Sequence, residues 1–78
     1  MEKRAELSPR LQGVAEMIPE GARLADVGTD HAYLPVWLLQ NGRIPSAIAS
    51  DVREGPLSRA RATARACGCF ERMSFRLC

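Results

Sequence analysis

Three carboxylates and the single histidine of this 78-residue chain fall at the ends of two short apolar runs. Asp26, Gly28, Thr29, Asp30 and His31 sit together in LADVGTDHAYLP, residues 24–35. Asp51 follows Ala47-Ile48-Ala49-Ser50, 23 residues after Gly28. A glycine after a buried strand lets the backbone turn sharply and lets a ligand approach it closely. An acid about 20 residues further on suits a carboxylate that ends the next parallel strand and hydrogen-bonds a pair of ribose hydroxyls. The spacing therefore points to recognition of a ribose-bearing ligand.

The ligand class narrows by elimination. A dinucleotide fingerprint needs G-x-G-x-x-G, but counted from Gly28 its later positions hold Asp30 and Tyr33. An acid at position 30 also repels a pyrophosphate. No G-x-x-x-x-G-K-[ST] phosphate loop is present. S-adenosylmethionine, which has a ribose and no phosphate, fits better. Asp26 and Asp30 suit its sulfonium and ammonium, and the helix N-terminus near Ala32 offers N–H groups to its carboxylate. Each residue also has a plainer role. Asp26 can brace the turn, Asp30 can be the N-cap of the next helix, and His31 can be a structural hydrogen-bonder. Tyr33 and Trp37 suit the core, with the Tyr33 hydroxyl able to reach the site. Asp51 is harder to explain structurally, because an acid that ends a buried strand usually faces a cleft.

The elements that must hold these residues read as follows. Ser8 caps and Pro9 opens a helix whose Leu11, Val14, Ala15 and Ile18 recur at helical spacing, and Pro19-Glu20-Gly21 stops it. A strand runs from Ala22 to Val27. A helix from about Ala32 to Asn41 is apolar nearly all round, tolerates Pro35 only in its first turn, and stops at Gly42. A second strand covers Ala47–Ser50 and runs into Asp51. A helix from Gly55-Pro56 carries Leu57, Ala60, Ala64 and Cys67 on one face, with Arg61 and Arg65 on another, and ends at Gly68. Met73–Leu77 alternates as a third strand. The order α-β-α-β-α-β predicts an α/β parallel sheet with right-handed crossovers, one mononucleotide-binding half of a doubly wound fold.

Composition is that of one small globular domain, 46% hydrophobic and 26% charged. No apolar run reaches the roughly 18–20 residues of a membrane span, and the N-terminus lacks the apolar region of a secretory signal. The expected partners exclude a membrane, and the expected address is the cytoplasm. Net charge is +2, but residues 52–78 carry six basic and two acidic side chains. That half suits either a nucleic-acid partner or an ordinary solvated arginine face. Cys67-Gly68-Cys69 has no second ligand pair, so reduced thiols and no metal are expected.

The stretch LSPRLQGVAEMIPEGARLADVGTDHAYLPVWLLQNGRIPSAIASDVREGPLSRA resembles the N-terminal part of the bacterial tRNA (adenine(22)-N(1))-methyltransferases. L-S-x-R-L, A-D-[IV]-G-[ST]-D-H-A-Y-L-P and G-P-L carry the resemblance, which runs from about Leu7 to Leu77. It implies a Rossmann-like class I methyltransferase domain, S-adenosylmethionine as cofactor and tRNA as substrate. By the same resemblance, Asp26, Gly28 and the Thr29-Asp30-His31 turn form the methionine side of the pocket, and Asp51 and Val52 the ribose side. Arg10, on the substrate side, holds the turn or the substrate; His31 and Tyr33 border the adenine, Tyr33 from the substrate side; and Asp30 or His31 is expected to orient the base.

The family pattern continues after the third strand as R-L-G-D-G-L, whereas here Arg76-Leu77 is followed by Cys78. The expectation is a domain truncated after its third strand, with the C-terminal half and the helical tRNA-binding domain absent. Such a piece should be weakly folded and self-associate through the open edge of strand one. Two other readings stand beside this one: a non-catalytic fragment, and a nucleotide-binding half of an oxidoreductase, which the glycine pattern disfavours.

Overall fold

A computed structural model describes residues 2–28 and 31–77. Three strands, β1 (Leu24–Val27), β2 (Ala47–Asp51) and β3 (Met73–Leu77), form one parallel sheet in the order β1-β2-β3. Asp26 pairs with Ala49, Val27 with Ser50 and Asp51 with Leu77. β1 begins at Leu24 rather than Ala22. The preceding backbone is still turning, with the Gly21 N–H donating to the Arg43 carbonyl at 2.6 Å and the Ala22 N–H to that of Pro19 at 3.2 Å.

The helices are α1 (Pro9–Met17), α2 (Tyr33–Gln40) and α3 (Glu54–Ala66). Ser8 caps α1 as expected, its hydroxyl accepting from the Leu11 N–H at 3.3 Å. In α2, Pro35 sits in the first turn and is buried with Val36, Leu38 and Leu39. α3 buries Leu57, Ala60 and Ala64, and Cys67 just beyond it is buried as well, matching the face read from spacing. A 3-10 turn, Phe70–Arg72, leads into β3.

All three helices feed one core. Ala15 of α1, Val36, Leu38 and Leu39 of α2, and Ala60 and Ala64 of α3 join Ala47, Ala49 and Met73 of the sheet. Strand side chains alternate between faces. Leu24, Ala49 and Phe75 therefore meet the helices, while Ala25, Val27, Ser74 and Arg76 on the other face are exposed. Parallel sheets are normally covered on both faces; here the described residues cover one.

The segment before α1 is held by a glutamine that the sequence does not single out. Gln40 accepts from the Ala5 N–H at 2.7 Å and donates through Nε2 to the carbonyls of Lys3 at 2.5 Å and Cys67 at 3.0 Å. The Lys3 N–H reaches the Ala66 carbonyl at 2.9 Å. The N-terminal arm is thereby pinned across the C-terminal ends of α2 and α3. Among the described residues no helix is long and apolar enough to cross a membrane.

Candidate functional site

The carboxyl ends of β1 and β2 are stitched together by the Gly28 N–H, which donates to the Ser50 carbonyl at 2.9 Å. Gly28 has φ 71°, in the left-handed region where a side chain is strained. That turn lets the chain leave β1 sharply, and among the described residues beyond its chain neighbours nothing lies within 4 Å of a Cβ built on Gly28.

A 280 Å³ cavity opens beside this turn, lined by Arg10, Leu11, Asp26, Gly28, His31, Ala32, Tyr33 and Leu34. Five sequence-predicted residues, Arg10, Asp26, Gly28, His31 and Tyr33, thus share one hollow. The His31 and Tyr33 rings stack with centroids 5.0 Å apart and planes 7° from parallel. Thr29 and Asp30 lie outside the described residues. The reading of Asp30 as N-cap lies there too; the N-cap position of α2 is Ala32, whose side chain makes no capping hydrogen bond. Ala32 holds φ 59° while almost wholly buried. A left-handed non-glycine residue costs about 1–2 kcal/mol and often marks a functional turn.

Asp51 does not line that cavity; it ends the neighbouring strand. Its Oδ1 accepts from the Arg53 backbone N–H at 2.9 Å and from Arg53 Nε at 3.4 Å. The Arg53 N–H is the largest influence on the carboxyl and holds it below the usual aspartate range. Burial opposes this, and the Arg53 guanidinium adds to the lowering. Asp51 is therefore an oriented anion at the strand end. Its neighbours are apolar and unburied: Val52, next in the chain, is 75% exposed, and Leu77, its register partner, 59%. An anion flanked by wet apolar groups at the carboxyl edge of a parallel sheet suits a ligand with hydroxyls on one side and a flat apolar ring on the other.

A larger hollow of 550 Å³ lies at the amino ends of the strands, lined in part by Arg23, Ala25, Ile48, Glu71 and Ser74. It gathers none of the candidate residues, and ligands of open α/β sheets bind at the opposite end. No group of three or more His, Cys, Asp or Glu among the described residues could hold a metal ion. Burial pushes the Cys67 and Cys69 thiols up, which makes both poor thiolates.

Residues 7–78 match the family described as a methyltransferase domain. The chain belongs to that family. The methyltransferase domain is 44% identical over 70 residues to the tRNA (adenine(22)-N(1))-methyltransferase of Bacillus subtilis (strain 168), covering 90% of this chain and 29% of that protein. It superposes on M. capricolum TrmK, solved with the cofactor product S-adenosyl-homocysteine, with TM-score 0.87 and 39% identity over 92% of this chain and 32% of the other. It superposes equally, at TM-score 0.87 and 46% identity, on a Streptococcus pneumoniae protein crystallised with S-adenosyl-L-methionine, over 94% of this chain and 34% of the other. The chain thus spans about a third of the length of these relatives.

Sequence reasoning missed Arg53 and Leu77. An aspartate followed two residues later by a free N–H is an Asx-turn pattern, so Arg53 was findable. Leu77 reaches the site only through its register with Asp51, which no local signal gives.

Proposed function

We propose that this methyltransferase domain binds S-adenosylmethionine at the carboxyl ends of β1 and β2, and serves methyl transfer to N1 of an adenine in tRNA. The observation that carries the reading is Asp51: an ionised, backbone-oriented carboxylate beside exposed Val52 and across the stitched strand ends from Gly28. When bound, the cofactor supplies an electrophilic methyl group on a sulfonium.

The chain's own residues have separable tasks. Asp51 accepts the two ribose hydroxyls, with Val52 against the adenine ring. Gly28 with Thr29 gives the methionine portion a close backbone approach, and Asp26 and Asp30 offset its positive charges. Arg10 and Tyr33 border the substrate, and Asp30 or His31 orients the base. Adenine N1 is a neutral nucleophile, so no strong base is required. Positioning and electrostatics supply most of the acceleration. The nucleotide must leave its stack to reach the cavity, and a tRNA substrate goes with a cytoplasmic setting. We assign the later strands and a helical tRNA-binding part, as the resemblance implies, to the length of the relatives that this chain does not span. The edge of β1 that no described strand pairs gives the chain a route to self-association, read as oligomers that grow with concentration.

Calorimetry of S-adenosylmethionine with the 78-residue chain tests the reading. Binding that Asp51→Ala abolishes, with the fold unchanged by circular dichroism, is expected. Binding indifferent to Asp51→Ala, or none to a folded chain, overturns it.

A further inference from the structure

Beside β3, the far strand of the sheet, α3 carries arginines that the cofactor site does not use. Arg65 stands over the Phe70 ring, its guanidinium carbon 4.3 Å from the centroid, and Arg61 over Phe75 at 5.7 Å. The two phenyl rings themselves stack, centroids 5.4 Å apart. Arg61, Phe75, Phe70 and Arg65 therefore form one continuous ladder between α3, the 3-10 turn and β3, with both rings half-buried against the core.

The charges on this ladder are unequal. Arg61 is neutralised by Glu54, at 2.5 Å. Arg65 lies on the exposed side of α3, as does Arg59 one turn and a half earlier. The surrounding segment, residues 52–78, carries six basic and two acidic side chains. A guanidinium resting on a ring is held flat, so it loses little freedom when its N–H groups meet a second partner. Its outward N–H fork matches a phosphate oxygen pair. Positive side chains along a surface track a nucleic-acid backbone, and here the half-buried rings support the arginines rather than stacking bases.

We propose that the Arg61–Phe75–Phe70–Arg65 ladder is a docking strip for the phosphodiester backbone of RNA, with Arg65 its principal contact. The proposal rests on RNA being the substrate. It goes beyond that reading by assigning a contact surface on the side of the domain away from β1 and the Gly28 turn. The strip contributes affinity without sequence preference, because phosphate contacts position rather than specify.

The test is fluorescence anisotropy of an unmodified tRNA transcript titrated with the 78-residue chain at several salt concentrations. The variants are Arg65→Gln, Arg65→Lys and Arg23→Gln. Arg23 is an exposed arginine at the start of β1 and removes the same charge elsewhere. Arg65→Gln should weaken binding several-fold at low salt and flatten the logarithmic salt dependence by about one. Arg65→Lys should fall between, keeping charge but losing the flat fork, and Arg23→Gln should change little. Equal losses in Arg65→Gln and Arg23→Gln would reduce the effect to net charge and overturn the strip. Melting temperature, read in parallel, separates the alternative that Arg65 only shields Phe70: stability lost with affinity intact also overturns the proposal. Absence of RNA binding by a chain that does bind S-adenosylmethionine overturns the strip and leaves the cofactor reading standing. RNA binding that depends on Arg65 in a chain without cofactor affinity does the reverse.

Discussion

Asp51 and Arg53 form a closed unit at the end of β2, in which one carboxylate oxygen takes both the Arg53 backbone N–H at 2.9 Å and its Nε at 3.4 Å. The backbone contact matters more. It needs no side-chain ordering, and it survives any substitution at position 53 other than proline. The unit fixes which way the carboxylate faces before a ligand arrives.

A pH dependence follows from it. The folded-state pKa of Asp51 is depressed below the ordinary 3.8. A depressed acid stabilises the fold above its unfolded pKa and loses that contribution as pH falls through the folded value. Asp51 should therefore contribute fully at neutral pH, and its contribution should fade only below about pH 3.8. Urea melts of the wild type and Asp51→Asn across that acid range should converge as pH drops. Arg53→Ala should raise the Asp51 pKa only part of the way, because the N–H remains; Arg53→Pro should raise it further. An NMR titration giving equal shifts for the two would contradict the ranking.

Gly28→Ala separates strain from occlusion. Apart from its chain neighbours, the added Cβ meets no atom of the described residues within 4 Å, so among them the fold bears only the left-handed φ of 71°, a cost of about 1 kcal/mol. The same Cβ projects into the space over the turn. Affinity for S-adenosylmethionine should fall by more than the factor of about five that 1 kcal/mol represents. Chemical denaturation and calorimetry on one preparation make the comparison; an affinity loss no larger than the stability loss would place the ligand away from Gly28.

Much of this arrangement was legible in the sequence, because the informative residues sit at element ends where local chemistry is strong. Ser8-Pro9 marks a cap, Gly42 and Gly68 mark stops, and the alternation of period 3.6 and short apolar runs gives the order of elements. Asp51 was legible because an acid closing A-I-A-S has few structural uses. Three features were not. Ala32 adopts a left-handed conformation that its residue type disfavours, so the fold overrides propensity there. Gln40 joins segments 35 and 37 residues apart, and a polar residue on a helix carries no mark of a distant partner. Leu77 meets Asp51 through strand register alone.

The cysteines should behave as buried apolar groups. Burial is the main cause raising both thiols, and Cys69 also lies 3.7 Å from Arg72 Nη2, which opposes the rise without overcoming it. The reactive thiolate is scarce at neutral pH. Native-state alkylation followed by peptide mass spectrometry should label Cys67 and Cys69 slowly, with a jump once urea opens the fold. Rapid native labelling of either would mean that the α3–β3 connection opens far more often than its burial implies.

Gln40 offers the sharpest test of the packing. Its side chain accepts from Ala5 and donates to Lys3 and Cys67, so one amide satisfies three backbone groups on two separate segments. Gln40→Leu keeps the bulk and removes all three bonds. Hydrogen bonds of this kind contribute about 1 kcal/mol each, and the Lys3 carbonyl is exposed enough to regain water, so the expected loss is about 2 kcal/mol. In a domain of this size that lowers the melting temperature by about 10 °C. Gln40→Glu should be intermediate or worse, because a carboxylate still accepts from Ala5 but meets two carbonyl oxygens where the amide donated. Hydrogen exchange locates the damage. Protection should vanish at Lys3 and Ala5 while the β2 amides keep theirs relative to the new global stability. Uniform loss across the chain would mean that the N-terminal arm is part of the cooperative core rather than a strap pinned to it by this one side chain.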